Sequence, residues 1–180
     1  MKILIICGSP RKNSLTRVLT DLAHTYAKEK YADAQIEYLD LGKYPVDNFR
    51  GFEEEYSQQT KDAIKLVESS PILIIGTPVY NGLLSSALKN LFEHMNYKAL
   101  DGHIAGFIVH SSGTISSLQV EGQLMALMTY FRVVSNPRAV FTSKDRHFDA
   151  QGNPTDAEVT KRIHKLVDET VSMFPHDKKS

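Results

Sequence analysis

Patterns typical of buried strands alternate along the chain with patterns typical of amphipathic helices. Residues 3–7, 71–76 and 104–109 are short apolar runs, rich in β-branched side chains and without polar alternation. Such runs predict strands that are buried on both faces of a parallel sheet. Residues 35–41 alternate polar and apolar side chains, which predicts an edge strand with one solvated face.

Between these strands, apolar residues recur at intervals of three and four, which predicts helices. The predicted helices cover residues 15–31, 53–69, 84–95 and 118–131, and residues 153–156 start a last helix that ends near residue 174. Residues 133–141 contain Asn136-Pro137 and predict a broken edge strand, because proline cannot donate to a central ladder. Residues 42–52 predict a long loop, and loops of that length are often functional.

Strands that alternate with helices predict the α/β class, with right-handed crossovers and helices on both faces of a parallel sheet. With the second strand at an edge and the third in the centre, we expect a doubly wound five-stranded sheet of order 2-1-3-4-5. Ligands bind such sheets beyond the carboxyl ends of the strands near the switch point, here strands one, three and four. Polar loops follow these three strands, at residues 8–14, 77–82 and 110–114. We predict one domain, residues 1–175, and a frayed lysine-rich tail, residues 176–180.

The first of these loops has the chemistry of an anion site. It offers the hydroxyl groups of Ser9 and Ser14 and the charges of Arg11 and Lys12, next to the positive end of a helix. Neither the P-loop spacing nor the dinucleotide spacing is present, because Gly8 stands alone. The loop therefore predicts a site for a small phosphate ester, and a simple capped turn from strand to helix stays open as the alternative.

Composition excludes several classes of protein. The chain has 180 residues, with 21 basic and 21 acidic side chains, so no overall charge favours nucleic acid or an anionic membrane. No apolar run has the length of a membrane span and none has the form of a signal peptide, so a cytoplasmic location is expected.

The single cysteine and the scattered histidines carry little chemistry of their own. Cys7 lies inside a predicted buried strand and is interpreted as a small core residue. The seven histidines show no metal-ligand spacing, so no metal site is predicted. His110 follows the fourth strand, where it is interpreted as a hydrogen-bonded residue at the end of a strand.

Two motifs resemble the NADPH-dependent FMN reductase family, which is flavodoxin-like and includes flavin, azobenzene and chromate or quinone reductases. Gly8-Ser9-Pro10-Arg11-x-x-Ser14 is similar to the family's G-S-x-R-x-x-S loop. Thr77-Pro78-Val79-Tyr80-Asn81 with Ser86-Ala87-Leu88-Lys89-Asn90 is similar to its P-x-Y-N/K…G-x-L-K-N stretch. The third loop has Ser112-Gly113 where the family usually has Gly-Gly.

The resemblance implies a bound FMN, reduced by NADPH or NADH, that passes electrons to a small-molecule acceptor such as a quinone, an azo compound, chromate or free flavin. It implies no obligatory acid or base from the protein, since the flavin itself accepts the hydride. The phosphate-binding residues that it implies are Ser9, Arg11, Ser14 and Thr16. The flavin-ring residues that it implies are Thr77, Pro78, Val79, Tyr80, Asn81, Ser111, Ser112 and Gly113. For Tyr80 a core position, and for Asn81-Gly82 a simple turn, stay open.

Two other functions have the same topology. A flavodoxin-type electron carrier is usually acidic and has no arginine in its phosphate loop, so the neutral charge and Arg11 count against it. A signalling domain would need an acidic pocket after the first strand, and Cys7-Gly8-Ser9 offers none. The helices after the second and third loops have more apolar residues than one sheet face covers, which predicts a homodimer or homotetramer.

Overall fold

The protein is an α/β sandwich built on a parallel sheet, and the computed structural model describes residues 1–112 and 114–175. Five parallel strands have the order β2-β1-β3-β5-β6, which confirms the predicted topology. A two-residue strand, β4, pairs antiparallel to β3 and was not predicted. The strands are β1 (Lys2–Cys7), β2 (Gln35–Asp40), β3 (Ile72–Tyr80), β4 (Leu83–Leu84), β5 (Ile104–Ser111) and β6 (Val134–Ser143).

Helices cover both faces of the sheet. The helices are α1 (Leu15–Lys30), α2 (Gln58–Glu68), α3 (Ser86–Glu93), α4 (Thr114–Tyr130), α5 (Lys144–His147) and α6 (Ala157–Ser172). The apolar residues of α1 and α6 form one buried cluster with the sheet, and those of α2, α3 and α4 form a second cluster on the opposite face. In the part of the chain that the structure describes, no helix is both long enough and apolar enough to cross a membrane.

The second predicted loop is mostly strand, which corrects the interpretation of residues 77–80 as a loop. β3 continues to Tyr80 because Thr77 and Pro78 align with the end of β5 and the next two residues pair with β4. Only Asn81 and Gly82 lie outside strands, with φ angles of 52° and 78°. Two successive residues with positive φ form the tight hairpin turn that Asn-Gly sequences favour. Asn81-Gly82 is therefore a hairpin turn, the alternative that the sequence left open.

Several helix boundaries also differ from the prediction. α2 begins at Gln58 and not at residue 53, because Ser57 is its N-cap and accepts a hydrogen bond from the Thr60 N–H. α4 begins at Thr114, four residues earlier than predicted, so the third loop is short. β6 is continuous, with a register shift opposite residues 105–107, and the Asn136 side chain donates to Thr170 Oγ1 at 3.1 Å. The predicted tail, residues 176–180, lies outside the described residues.

Two glycines allow the elements around the first loop to approach closely. The Gly8 N–H donates to the Gly76 carbonyl at 2.7 Å, and a Cβ at Gly8 would lie 2.8 Å from that oxygen and 3.1 Å from the Cβ of Leu88. A Cβ at Gly76 would overlap the side chain of Thr20 on α1. Gly8 is thus required by packing within the protein.

Candidate functional site

The first loop, residues 8–14, and the β3–β4 hairpin meet at the carboxyl edge of the sheet. The Ser9 hydroxyl lies 3.5 Å from the Tyr80 hydroxyl, although the two residues are 71 positions apart. The Ser85 hydroxyl, which caps α3, donates to the Gly8 carbonyl. The Ser85 N–H donates to Thr77 Oγ1 at 3.3 Å. β1, β3 and the start of α3 therefore support the first loop at the carboxyl edge of the sheet.

The first loop leads directly into α1. Ser14 is the N-cap, and its hydroxyl accepts from the Arg17 N–H at 3.3 Å. Ser9 is buried, and its hydroxyl accepts from the Arg11 N–H at 3.4 Å. The side chain of Arg11 is exposed and has no hydrogen-bond or ion-pair partner among the described residues. The loop thus combines backbone N–H groups at a helix N-terminus with an uncompensated cation, which is the chemistry of an anion site.

Thr16, in the first turn of α1, is the unusual member of this group. Within residues 1–112 and 114–175, its Oγ1 is a buried side-chain oxygen without a hydrogen-bond partner. A buried polar group without a partner costs about 1–3 kcal/mol. The hydroxyl can donate to an acceptor placed at the start of α1, where an anion is also stabilised by the helix dipole.

A buried ion pair, Arg17 with Asp40, fixes the far side of the loop. The Arg17 Nε donates to Asp40 Oδ2 at 2.5 Å and its Nη2 donates to Asp40 Oδ1 at 3.0 Å. The Nη1 of the same guanidinium donates to the carbonyls of Arg11 at 3.0 Å and Lys12 at 2.6 Å. Burial alone would raise the pKa of Asp40, but hydrogen bonds from Arg17 and the Gly42 N–H outweigh burial and lower it. Asp40 is therefore ionised at neutral pH.

The sequence patterns did not predict this pair. Arg17 sits three residues after the capping Ser14, and Asp40 ends the strand that is parallel to β1. The available signal was a carboxylate at the carboxyl end of an edge strand, next to the strand that leads into the predicted anion site. It gave no distance between the two residues, which are 23 positions apart.

The third loop approaches the same edge of the sheet, at the end of β5. Ser111 is buried, and its hydroxyl lies 2.5 Å from that of Ser117 on α4. Ser112 is exposed, and Gly113 lies outside the described residues. Because Pro78 aligns with His110 in the parallel register, Ser111, the next residue of β5, lies beside the predicted flavin-ring segment of β3.

The loop between β2 and α2 is tied to α3 by hydrogen bonds. The Asn90 Nδ2 donates to the Asp47 carbonyl at 2.8 Å, and its Oδ1 accepts from the Phe49 N–H at 2.9 Å. The His94 Nε2 lies 2.9 Å from the same Asp47 carbonyl. A cleft of about 500 Å³ opens between this loop, Pro10 and α3. Asn90, the last residue of the motif Ser86-Ala87-Leu88-Lys89-Asn90, therefore holds the loop between β2 and α2 in place beside the first loop.

His110 faces the α1 and α6 side of the sheet. Its Nδ1 lies 3.0 Å from Thr142 Oγ1, and its ring packs edge-on against Phe148. Burial, with a smaller contribution from the charge of His147, lowers the pKa of His110 to about 4. The hydrogen bond at the strand end agrees with the interpretation made from the sequence.

Comparison with known proteins identifies the family. The model of the NADPH-dependent FMN reductase family matches residues 1–147. A NAD(P)H-dependent FAD/FMN reductase of Geobacillus thermodenitrificans is 32% identical over 174 residues, which cover 96% of this chain and 93% of the relative. The chain belongs to the NADPH-dependent FMN reductase family. An FMN-dependent NADPH-azoreductase of Staphylococcus aureus is 29% identical over 180 residues, covering 96% of this chain and 94% of the relative.

Solved structures share the fold of this FMN reductase family member at low sequence identity. An NADH:FMN oxidoreductase in its apo form superposes with a TM-score of 0.78 at 17% identity, over 98% of this chain and 91% of the other. The NAD(P)H:acceptor oxidoreductase FerB of Paracoccus denitrificans gives a TM-score of 0.76 at 20% identity, over 96% of each chain. The family membership makes this protein an oxidoreductase that uses FMN and NAD(P)H, as the sequence predicted.

The lowered pKa of His110 predicts a pH-dependent stability. Between pH 6.5 and pH 4 the unfolded chain protonates this histidine and the folded chain does not, so the free energy of unfolding falls as the pH falls through this window. After allowance for partial exposure, we expect the His110 contribution to fall by about 1–2 kcal/mol between pH 8 and pH 5. Denaturant titrations of the wild type and His110→Asn measure this. Plotted against pH, the free energies of unfolding of the two proteins should converge towards acid pH. Parallel plots would contradict the assignment of this pH dependence to His110.

Proposed function

We propose that this protein transfers a hydride from NADPH or NADH to an FMN that it retains at the carboxyl edge of the sheet, and passes the electrons to a small-molecule acceptor. The proposed acceptors are a quinone, an azo compound, chromate or free flavin. The meeting of the first loop with the β3–β4 hairpin, through Ser9 and Tyr80, is the observation that carries the proposal. FMN, when bound, supplies the hydride-accepting N5 atom of its ring.

The residues of the first loop fit the phosphate of FMN. A phosphate monoester is close to a dianion at neutral pH, so its hydration must be replaced by donors and opposite charge. Arg11 offers an unpaired exposed guanidinium, and Thr16 offers a buried hydroxyl without a partner in the described part of the chain. Ser9 and Ser14 lie before and after Arg11 along the loop. Together they would hold the phosphate at the positive end of α1.

The flavin ring would lie against the β3–β4 hairpin and the third loop. The side chains of Val79 and Tyr80 are half-buried and that of Asn81 is exposed, so all three have surface to offer a ligand. Thr77 and Pro78 are buried, so their contribution is to support the β3–β4 hairpin. Ser111, Ser112 and Gly113 are proposed for the pyrimidine edge of the ring. Donors at that edge stabilise the negative charge of the reduced flavin.

A flavodoxin-type carrier is the second candidate function. Carriers of that type dock on partner proteins by charge, and this chain has 21 basic against 21 acidic residues. The relatives of 32% and 29% identity have names that describe reductases using NAD(P)H. Both observations favour the enzyme. A cytoplasmic location stays a prediction from the sequence.

We propose a homodimer, with a homotetramer as a further level of assembly. The sheet covers most of the apolar residues of α3 and α4, among them Leu88, Phe92 and Leu124. Leu118 and Leu83 remain 54% and 55% exposed, and Met125 is also exposed. Leu118 and Met125 lie two turns apart on α4, and the Leu84 N–H donates to Gln123 on this helix, which places the hairpin beside it. A second subunit packed here would cover this apolar surface next to the proposed flavin site.

Activity without a partner protein tests the enzyme against the carrier. The purified protein should be yellow, with the mass of FMN in its mass spectrum, and should consume NADPH when menadione is the only acceptor. Sustained NADPH oxidation is expected, because hydride acceptance and acceptor reduction occur on one cofactor. A flavin-containing protein that leaves NADPH untouched would support the carrier. A colourless protein that also refuses added FMN would refute both.

Arg11→Ala tests the phosphate assignment. The guanidinium can give two charge-assisted hydrogen bonds to phosphate, each worth about 1.5–3 kcal/mol before the discount for exposure. We expect FMN binding to weaken by about 2–3 kcal/mol, or roughly 30- to 150-fold, in a flavin fluorescence titration. Riboflavin, which lacks the phosphate, is the control and should bind both proteins equally. Arg11→Lys should recover only part of the loss. Equal losses for both flavins would show damage to the loop itself.

Light scattering tests the dimer. At micromolar concentration the mass should be about twice that of the 20.2 kDa chain. Met125→Glu should shift the protein towards the monomer, because a charge would be buried in the proposed interface. The matched control is Val134→Glu, since Val134 is also exposed, at 53%, but lies on β6. A wild-type mass of one chain would refute the dimer.

A further inference from the structure

We infer that Arg17, held by Asp40, is a positioning residue that presents the backbone N–H groups of the first loop to the phosphate without binding the phosphate itself. The inference rests on the proposed function, because it needs a phosphate in this loop. It adds a second arginine to the site, with a different action from that of Arg11.

The hydrogen bonds of Arg17 show why it does not bind the ligand directly. A guanidinium has five N–H donors in a fixed plane. Four of them are engaged within the protein, two on the Asp40 carboxylate and two on the carbonyls of Arg11 and Lys12. The side chain of Arg17 is only 11% exposed and that of Asp40 is 5% exposed. The guanidinium donors that could bind a phosphate are therefore occupied by the two loop carbonyls and the Asp40 carboxylate.

Holding these two carbonyls fixes the direction of two N–H groups. In a trans peptide the C=O and the following N–H point in opposite directions. The peptides after Arg11 and after Lys12 both direct their oxygens at Arg17, so the N–H groups of Lys12 and Asn13 point away from it. Neither N–H donates to a protein group in the part of the chain that the structure describes. Successive backbone N–H groups without a protein acceptor are the donors that a phosphate needs.

The anchor of Arg17 is set by the sheet. Asp40 aligns with Cys7 in the parallel register of β2 and β1, so the carboxylate lies directly beside the strand that leads into the loop. The Gly42 N–H donates to Asp40 Oδ1 at 3.0 Å. A Cβ at Gly42 would overlap Arg17 Nη2 and would lie 2.8 Å from the Ser9 carbonyl. The chain after β2 therefore leaves room for the guanidinium.

The charge of Arg17 is neutralised, whereas the charge of Arg11 is not. The Arg17–Asp40 pair contributes no net charge at neutral pH, because hydrogen bonds from Arg17 lower the pKa of Asp40. The exposed Arg11 acts on the phosphate through its charge, and salt screens such an interaction. Loss of Arg17 together with Asp40 should therefore reduce FMN affinity without changing its dependence on salt.

Two variants test the inference. Arg17→Lys keeps the charge but loses the fork that spans Asp40 and the carbonyls. Arg17→Met combined with Asp40→Asn removes both charges, so no buried carboxylate is left unpaired. Arg138→Met is the control, because it removes an arginine of β6 that pairs with Glu169 of α6 at 3.7 Å. Thermal melting of each protein shows whether it folds.

FMN and riboflavin titrations at several salt concentrations provide the readout. In both Arg17 variants we expect FMN to bind about 10- to 100-fold more weakly, because hydrogen bonds from the loop to the charged phosphate are lost. Riboflavin should bind within about twofold of wild type, because the contacts to the flavin ring stay. The double variant should keep the wild-type salt dependence, whereas Arg11→Ala should flatten it. The control should match wild type in every titration.

The alternative results separate this inference from the proposed function. Folded Arg17 variants that keep the wild-type preference for FMN over riboflavin would overturn the inference alone. Equal losses for FMN and riboflavin would overturn it too, since they indicate a general effect on the fold. If the double variant weakened the salt dependence of FMN affinity, Arg17 would be assigned to direct charge contact with the phosphate. A wild type that binds both flavins equally would refute the phosphate site itself.

Discussion

The parallel alignment of β1 with both β2 and β3 is the constraint on which the site depends. Cys7, the last residue of β1, is aligned with Asp40 on one side and with Gly76 on the other. The first loop, which follows Cys7, therefore starts between the carboxylate of Asp40 and Gly76. The carboxylate anchors Arg17, and the glycine admits the first turns of α1 and accepts a hydrogen bond from Gly8.

The proposed site divides the work of binding an anion between two arginines. Arg17 is nearly buried and neutralised, and its donors go to a carboxylate and two loop carbonyls. Arg11 is exposed, and in the described chain no protein group competes for its guanidinium. Preorganised backbone donors cost no reorganisation when the ligand arrives, and an unpaired cation supplies the attraction. Arg17 has little left for the ligand, because four of its five N–H donors are engaged within the protein.

The predictions succeeded where one property of the sequence decides the structure locally. Unbroken β-branched runs gave β1, β3 and β5, and alternation gave the edge position of β2. The prediction for residues 77–80 was wrong because Pro78 interrupts the strand pattern, and the strand conformation of this segment comes from pairing with β5 and with β4. Strand propensity depends strongly on such context.

The sequence by itself determined the class of fold, the strand order and the position after β1 of the loop proposed to bind the anion, because hydrophobic periodicity and loop composition are local properties. The motif Gly8-Ser9-Pro10-Arg11 also pointed to the family to which the chain belongs. The tertiary structure alone decided that Arg17 meets Asp40, that Asn90 orders the loop after β2, and that the Thr16 hydroxyl lacks a partner in the described chain. Each of these depends on distances between residues far apart in the chain or on what packing encloses, and periodicity carries no information about either.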